Sequence, residues 1–274
     1  MSKNTVTAVI SDTHIGGRTA LSLHEWECDT GLLNEDGSKI TEPYKATIAQ
    51  DWVYECWLDF WKHVKQLAGK KYRVVVIHLG DVIDGNHQNN HQAMQNISDQ
   101  IDMAVEILKP IRKMADEFFI FRGTQWHTGA IAGNETTVAK ELGAISMWEG
   151  ILDIDGILVD CAHHGRSGSR LWYSLACGIA VDAIQDAVTE IPPRQIPRYV
   201  LRGHMHKIDD SGEKIAGTRA ITLPSWQLKT EWGHYVGAGR RADIGGVIIL
   251  PDGSLDLSKL RYFAAPGQRK VIKI

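Results

Sequence analysis

Five short stretches that contain histidine or aspartate are spread along the chain, and each follows a run of residues that predicts a buried strand. They are residues 12–14 (DTH), 80–84 (GDVID), 123–127 (GTQWH), 163–165 (HHG) and 203–206 (GHMH). In open α/β sheets, sites form in the crevice outside the carboxyl ends of the strands. Imidazole and carboxylate groups are also the usual ligands of zinc, manganese and iron. The pattern therefore predicts a metal centre assembled from distant segments of an α/β fold.

The first half of the chain alternates between strand and helix patterns. The predicted strands are residues 5–10, 74–79 and 118–121, which are rich in β-branched or aromatic residues. One helix is predicted from Trp52, Cys56, Phe60 and Val64, which recur every four residues before Gly69, and a second over residues 97–114. This alternation favours a layered α/β core.

The second half is richer in predicted strands. A hairpin is expected around Asp155-Gly156, and a helix over residues 171–189 should end before Pro192-Pro193. Further strands are predicted at residues 199–201, 218–223, 246–250 and 255–257. Since no linker divides the chain, we expect a single domain over residues 1–274. Charge, glycine and turn signals in residues 16–47 predict an excursion or lid.

Composition narrows the range of functions. The formal net charge of -3 argues against a role in coating nucleic acid, because that role needs broad positive potential. Local phosphate chemistry remains open, since bound metal ions would invert the potential in a small pocket. The four cysteines are widely spaced, and the N-terminus lacks a signal sequence. No apolar run is long enough to span a bilayer, so we expect a cytoplasmic protein without membrane association.

Two carboxylates and several imidazoles at strand ends suit a pair of divalent ions better than one. A shared aspartate can bridge two metals about 3.5–4 Å apart, and such pairs act on the attacking and leaving oxygens of phosphoryl transfer. Asp12 and His14 are two residues apart and can reach one ion. His204 and His206 have the same spacing, after a glycine that lets the backbone approach closely.

The patterns D-x-H, G-D-x-x-D and G-H-x-H, in this order and at strand ends, resemble those of the calcineurin-like metallophosphoesterases. The resemblance extends from Asp12 to His206. It implies an α/β/β/α sandwich of two mixed sheets flanked by helices. It also implies a two-metal site that hydrolyses phosphomonoesters or phosphodiesters by in-line attack of a metal-bound hydroxide.

Carried over by position, the resemblance implies ligands for both ions: Asp12, His14 and His206 for the first, Asp81 as the bridge, and His163 and His204 for the second. His163 is preferred to His164 because the family usually places the ligand directly after the strand. Asp84 would accept a hydrogen bond that orients a ligand imidazole. The implied cofactors are two divalent ions, with Mn²⁺ favoured and Zn²⁺, Fe, Ni²⁺ or Co²⁺ as alternatives.

The third motif departs from the family. Where the family has Gly-Asn-His followed by an acidic residue, this chain has Thr124 at the asparagine position, and His127 arrives two residues late. Gln125 could offer the missing amide oxygen, or His127 could become a ligand. His127 could instead act as an acid or contact phosphate beside a weaker second metal. Thr124 itself is a candidate ligand, and we expect His127 to be functional, with its role left open.

Substrate contacts are predicted in two loops. Asn86 and His87 follow Gly85 and match the tripeptide missing from the third motif, although no strand separates them from Asp84. Arg166 and Arg170 lie in a Gly/Ser-rich loop and could bind a phosphate oxygen bidentately, or be solvated. We expect a phosphodiesterase acting on a phosphate ester, with nucleotides or nucleic acid as candidate substrates. A phosphomonoesterase and a non-catalytic binding module or scaffold are the alternatives, and the oligomeric state is not predicted.

Overall fold

The computed structural model of the protein describes residues 4–86, 92–128, 133–165, 175–212, 215–230 and 242–262, without the side chains of Trp126 and Thr128. The strands are β1 (Thr5–Ile10), β2 (Glu25–Leu33), β3 (Lys39–Lys45), β4 (Arg73–His78), β5 (Glu117–Phe121), β6 (Ile145–Met147), β7 (Glu149–Ile154), β8 (Ile157–Ala162), β9 (Tyr199–Arg202), β10 (Asp209–Asp210), β11 (Arg219–Thr222), β12 (Val247–Ile249) and β13 (Leu255–Asp256). The helices are α1 (Ile48–Ala68), α2 (Ile97–Met114), α3 (Gln125–Thr128), α4 (Gly133–Leu142) and α5 (Leu175–Thr189).

Two mixed sheets form the centre of the molecule. The first has the order β13-β12-β1-β4-β5-β6, in which β1, β4, β5 and β6 run parallel to one another. The second has the order β10-β11-β9-β8-β7, in which β8, β9 and β11 are parallel. The antiparallel neighbours lie towards the sheet edges, at β12 and β13 in the first sheet and at β7 and β10 in the second.

Three apolar layers hold four layers of secondary structure together. Because side chains alternate across a strand, β4 sends Val75 and Ile77 to the cluster between the sheets and Val76 to the cluster under the helices. The helix-side cluster of the first sheet includes residues of α1, α2 and α4, and α5 covers the second sheet through Ile179 and its alanines. The predicted α/β/β/α arrangement is therefore confirmed.

Helix α1 begins and ends where its local sequence indicates. The Thr47 hydroxyl accepts from the backbone N–H of Gln50, and the Gln50 side chain accepts from the backbone N–H of Thr47. This capping box satisfies amide groups that the first turn leaves without partners. The helix ends at Gly69, whose φ of 55° favours glycine. None of the helices in the described part of the chain combines the length and apolar character that a membrane crossing requires.

Some elements differ from the expectations. The segment 16–47 contains the two-stranded hairpin β2–β3, and the helices α3 and α4 and the strand β6 were not predicted. Of the helix predicted over residues 171–189, the structure describes Leu175–Thr189. The role of residues 16–47 as a lid, and the single domain over the whole chain, stay predictions.

An aromatic cluster lies between α1 and the loop that carries Trp226. The rings of Trp57 and Trp226 are 5.0 Å apart and nearly perpendicular, and Phe60 and Trp61 complete the cluster. The backbone N–H of Trp226 donates to the carbonyl of Asp12 at 2.9 Å. The cluster therefore holds Trp226 in place, and the hydrogen bond of Trp226 holds the loop that follows β1.

Replacing Trp57 by alanine should lower the free energy of unfolding by about 3–5 kcal/mol, since a large buried ring is removed from a packed core. Trp148 is a matched control because it is 62 % exposed and contacts only the Arg122 guanidinium among the described ring contacts. Its replacement should cost about 1 kcal/mol or less. Urea unfolding of metal-free protein measures both values, and equal losses would contradict this assignment of the core.

Candidate metal centre

The five predicted stretches meet at one edge of the molecule. Strands β1, β4 and β5 of the first sheet and β8 and β9 of the second all point their carboxyl ends to this edge. The backbone N–H of Asp12 donates to Gly80 O, and that of His14 donates to Asp81 O, each at 3.0 Å. The backbone N–H of His204 donates to the Asp12 carboxylate at 3.0 Å. Loops from both sheets are thus joined directly.

Backbone strain is concentrated at the predicted ligands. Seven described residues other than glycine have positive φ, and five of them are Asp12 (56°), His14 (44°), Asp81 (52°), His204 (68°) and His206 (50°). Each such conformation costs about 1–3 kcal/mol and persists only where its surroundings impose it. Strain of this kind accumulates at functional sites, which supports a functional role for this edge.

Two glycines allow the loops to approach each other. A Cβ atom on Gly123 would collide with the Asp81 carboxylate, and one on Gly203 would collide with the Ser11 hydroxyl and crowd Asp12. These positions therefore require glycine because of space rather than because of φ. The glycines of the third and fifth motifs thus let Asp81 and Asp12 reach the centre.

The first ligand set consists of Asp12, His14 and His206. The two imidazole Nε2 atoms face each other at 3.0 Å, and Nε2 of His206 lies 3.2 Å from Oδ1 of Asp12. Asp12 is fully buried and His14 almost so. One potential ligand atom from each residue lies within 4.8 Å of the other two, so the set can hold a metal ion.

The Asp81 carboxylate lies between histidines of the two sheets. Its Oδ2 atom lies 3.1 Å from Nε2 of His163 and 3.8 Å from Nε2 of both His14 and His127. Asp81 forms one possible metal group with His14 and His127 and another with Asp12 and His163. A single carboxylate is therefore shared between histidines of the first and second sheets.

The second ligand set consists of His163, His164 and His204, whose potential ligand atoms also lie within 4.8 Å of one another. His163 is buried, whereas His164 and His204 are exposed. The sequence offered a choice between His163 and His164, but the structure brings both to this set. His163 is the one beside Asp81.

Several imidazoles are oriented by hydrogen bonds on the side away from the centre. Nδ1 of His163 donates to Leu79 O, and Nδ1 of His127 donates to Asp84 O, each at 2.6 Å. Their Nε2 atoms are therefore left to face Asp81. Oδ1 of Asp84 lies 3.3 Å from Nδ1 of His14, where the sequence placed a partner for a ligand imidazole. Such partners fix the tautomer and ring orientation of metal ligands.

The charges at the centre favour a cation. Burial disfavours a proton on His14, but the carboxylates of Asp12, Asp84 and Asp81 outweigh it and raise the pKa of His14 to about 10. The pKa of His163 is raised to about 9 against burial by Asp81 and Asp12. The carboxylates thus create a negative potential that retains positive charge between them.

Histidines further from the carboxylates behave in the opposite way. Burial, together with His14, lowers the pKa of His127 to about 4. Burial and the neighbouring His163 and His164 lower the pKa of His204 to about 4. Both imidazoles are therefore neutral near pH 7 and can offer a lone pair.

The residues fit a metal centre. The Nε2 atoms of His14 and His206, 3.0 Å apart, can share one proton at most, yet Asp12, His14 and His206 all offer a possible ligand atom within the same small space. A divalent cation satisfies all three groups at once, and nitrogen and carboxylate oxygen suit zinc, manganese, iron, cobalt and nickel.

The third motif, residues 123–127, contributes residues to both ligand sets. The Thr124 hydroxyl donates to Oδ2 of Asp81 at 3.1 Å and lies 3.2 Å from Nε2 of His163 and 3.1 Å from Nδ1 of His204. His127 lies on the other side, with its ring 4.5 Å from that of His14. Gln125 is exposed at the start of α3. Thr124 therefore stands within the second set and His127 beside the first.

The predicted substrate residues are described only in part. Asn86 is exposed and follows Gly85, which packs against the backbone of His127. His87, Arg166 and Arg170 lie outside the described residues. Their contact with a substrate stays a prediction.

Glu135 of α4 is a site residue that the sequence did not reveal. It is 1 % exposed, and its carboxylate accepts from the backbone N–H of Gly123 at 2.6 Å and of Val82 at 3.1 Å. Burial and the nearby Asp81 raise the pKa of Glu135 to about 7. It joins the loops after β4 and β5, next to Asp81 and Thr124.

His78 is a second missed residue, at the end of β4. Its Nδ1 accepts from the backbone N–H of Gly80, so Nε2 carries the proton and donates to the Thr13 hydroxyl at 3.0 Å. Thr13 in turn donates to Val82 O at 2.7 Å. Burial lowers the pKa of His78 to about 3, which keeps this chain of bonds neutral. A histidine within the apolar run VVVIHL was the available signal.

Comparison with known proteins gives no family. No family model matches the chain, and no curated protein matches it. Forty chains of solved structures do match. An archaeal phosphodiesterase is 10% identical, with 92% of this chain and 97% of that chain covered and a TM-score of 0.43. A hypothetical protein from Pyrococcus horikoshii OT3 is 9% identical, with 92% of this chain and 86% of that chain covered and a TM-score of 0.49. The Thermus thermophilus sulfate thiohydrolase SoxB is 10% identical, with 82% of this chain and 52% of that chain covered and a TM-score of 0.39.

Divalent ions should stabilise the metal-free protein against heat. A ligand that binds only the folded state adds about 2.7 kcal/mol at a concentration 100 times its dissociation constant. Asp81→Asn should lose most of this gain because its carboxylate is shared between the ligand sets. Asp153→Asn is a matched control, because Asp153 is exposed near the end of β7 and accepts from the backbone N–H of Gly156 in the turn that follows. Melting curves with and without Mn²⁺ or Zn²⁺ measure the effect, and equal gains in both variants would contradict it.

Metal affinity should rise with pH between about pH 6 and pH 8. The pKa values of about 10 for His14 and about 9 for His163 mean that both imidazoles carry protons in this range. A metal must displace these protons, so binding becomes weaker as the pH falls. Calorimetry in buffers of different ionisation enthalpy counts the protons released, and an affinity that does not change with pH would oppose this assignment.

Glu135→Ala should lower the free energy of unfolding by about 2–6 kcal/mol, because two buried N–H groups lose their acceptor and each costs about 1–3 kcal/mol. Glu135→Gln keeps one acceptor oxygen and should lose less. Glu141 is exposed on the same helix, so Glu141→Ala should change stability by no more than about 0.5 kcal/mol. Denaturant unfolding in a chelating buffer measures all three.

Proposed function

We propose that this chain is a metal-dependent phosphoesterase of the calcineurin-like class, with phosphodiesters as its favoured substrates. The observation that carries the proposal is the Asp81 carboxylate, which lies between His14 and His127 on one side and His163 on the other. A carboxylate shared by two ligand sets is typical of dinuclear phosphoesterase centres. The four-layer fold and the order of the motifs support the same class.

The proposed cofactors are two divalent ions, with Mn²⁺ favoured. Asp12, His14 and His206 would hold the first and His163 and His204 the second, with Asp81 between them. When bound, such ions supply Lewis acidity towards phosphoryl oxygens and a nucleophile at neutral pH for in-line displacement. The described residues supply the buried negative charge that balances them.

The contribution of His127 is to offer a fixed, neutral imidazole. Its Nδ1–H donates to Asp84 O, so Nε2 faces Asp81. The pKa of about 4 leaves Nε2 without a proton near pH 7. Among the roles that the sequence left open, this favours a ligand or proton acceptor over a general acid.

A phosphodiester is favoured because the rim of the centre is open. His164 and His204 are exposed, so a second ester group has room beside the reacting phosphorus. Arg166, Arg170, Asn86 and His87 are proposed to contact the substrate, with nucleotides or nucleic acid as candidates. We also propose a cytoplasmic location, supported by cysteines that are free thiols, three of them buried.

Two alternatives remain. A phosphomonoesterase would use the same centre. A binding module or scaffold is favoured by one observation, since the weak ligand Thr124 stands within the second set. Protein reconstituted with Mn²⁺, Co²⁺, Ni²⁺ or Zn²⁺ should hydrolyse bis-p-nitrophenyl phosphate faster than p-nitrophenyl phosphate. The reverse order would favour the monoesterase, and no hydrolysis with any ion would favour the scaffold.

His127→Ala should reduce turnover of bis-p-nitrophenyl phosphate by roughly 10²-fold or more, the scale of a positioned acid–base group. His24→Ala is a matched control, because His24 is exposed and pairs with Asp51 away from the centre. An unchanged rate in His127→Ala, with His24→Ala equal to the parent protein, would remove His127 from the mechanism.

A further inference from the structure

The second ligand set lacks one strong ligand if only the residues implied by the family resemblance are used. Asp81 and His163 are 3.1 Å apart, and His204 lies across from them, with its ring 5.3 Å from that of His163. These residues offer three strong ligand atoms. A structural zinc site has four protein ligands, and a catalytic site has three plus a water. The family resemblance implies an amide oxygen as a further protein ligand where this chain has Thr124.

Thr124 is a poor replacement for that amide. Its oxygen lies 3.1 Å from Oδ2 of Asp81, 3.2 Å from Nε2 of His163 and 3.1 Å from Nδ1 of His204. The hydroxyl has one proton, which it donates to Asp81. Its remaining lone pairs are those of a neutral alcohol, a weaker donor than an imidazole. Thr124 is therefore better suited to orient Asp81 than to complete the set.

His164 is placed to supply the missing ligand. Its ring centroid lies 4.7 Å from that of His163 and 4.6 Å from that of His204. Potential ligand atoms of the three imidazoles lie within 4.8 Å of one another. Because His164 is exposed at the rim, its side chain can rotate towards an ion without disturbing the core.

We propose that His164 is a ligand of the second metal and takes the place left by the amide. This inference rests on the proposed two-metal centre but not on its reaction. The resulting set of three imidazoles and one carboxylate is rich in nitrogen. Nitrogen ligands suit Zn²⁺, Co²⁺ and Ni²⁺, whereas Mn²⁺ prefers oxygen. The second position would thus select the nitrogen-binding ions, which restricts the proposed preference for Mn²⁺ to the first position.

Metal titrations of the full chain test the proposal without any substrate. Metal-free parent protein and the variants His164→Ala, His164→Asn and His24→Ala are titrated with Co²⁺, Zn²⁺ and Mn²⁺. Calorimetry and elemental analysis give the number of ions and their affinities, and the visible absorption of Co²⁺ reports the ligands. Equal melting temperatures in a chelating buffer establish that the variants are folded.

The parent protein and His24→Ala should bind two Co²⁺ or Zn²⁺ ions per chain. His164→Ala should weaken the affinity for one of the two ions by roughly 10²-fold or more, since loss of a hydrogen-bond partner of a ligand alone costs about 10–100-fold in metal affinity. The Co²⁺ absorption of this variant should also change. His164→Asn supplies an amide oxygen and should shift that position towards Mn²⁺.

Unchanged affinities and Co²⁺ absorption in His164→Ala would overturn the proposal, as would a parent protein that binds a single ion. A different result would reject only the proposed function. In that case the parent protein binds two ions and His164→Ala binds one of them more weakly, but no phosphate ester is hydrolysed. The assignment of His164 as a ligand would then stand. The two failures are therefore distinguishable.

Discussion

The buried carboxylate of Asp12 joins the two sheets of this molecule. It accepts a hydrogen bond from the backbone N–H of His204, which follows a strand of the second sheet. The backbone of Asp12 itself forms hydrogen bonds with Gly80 and Trp226. A buried anion is unfavourable unless it is paired and hydrogen-bonded, and here its partners come from both sheets. The relative position of the sheets and the shape of the metal centre thus depend on the same group.

Much of the fold could be predicted because its signals are local. Strand β1 and helix α2 have the predicted bounds, since a β-branched run and a helical period are each contained in a few residues. The hairpin β2–β3 was missed because most of its residues are exposed, and the alternation of polar and apolar residues over 25–29 does not continue through the rest of the hairpin. Helix α4 has only ten residues and packs against α2, a contact that its own sequence does not encode.

The sequence indicated the candidate ligands of the site but not the residues that position them. Asp12, Asp81 and their histidine neighbours occur in short motifs, and the structure brings them together. The Glu135 carboxylate accepts hydrogen bonds from two backbone N–H groups that are distant in the chain. The residue type alone does not indicate such a role. The spacing of the third motif also did not tell which ligand set would receive Thr124 and which His127. That division depends on the path of the loop after β5.

The left-handed backbone at the five ligand residues sets function against stability at the same positions. A glycine in any of them would relieve local strain and at the same time delete a candidate metal ligand. At the partly exposed His206, we expect such a substitution to relax the backbone of the metal-free protein and to weaken binding of an ion by Asp12 and His14. Glycine would be the less strained choice for the backbone at these five positions, so the strain there is a stability cost set against the role of the side chains.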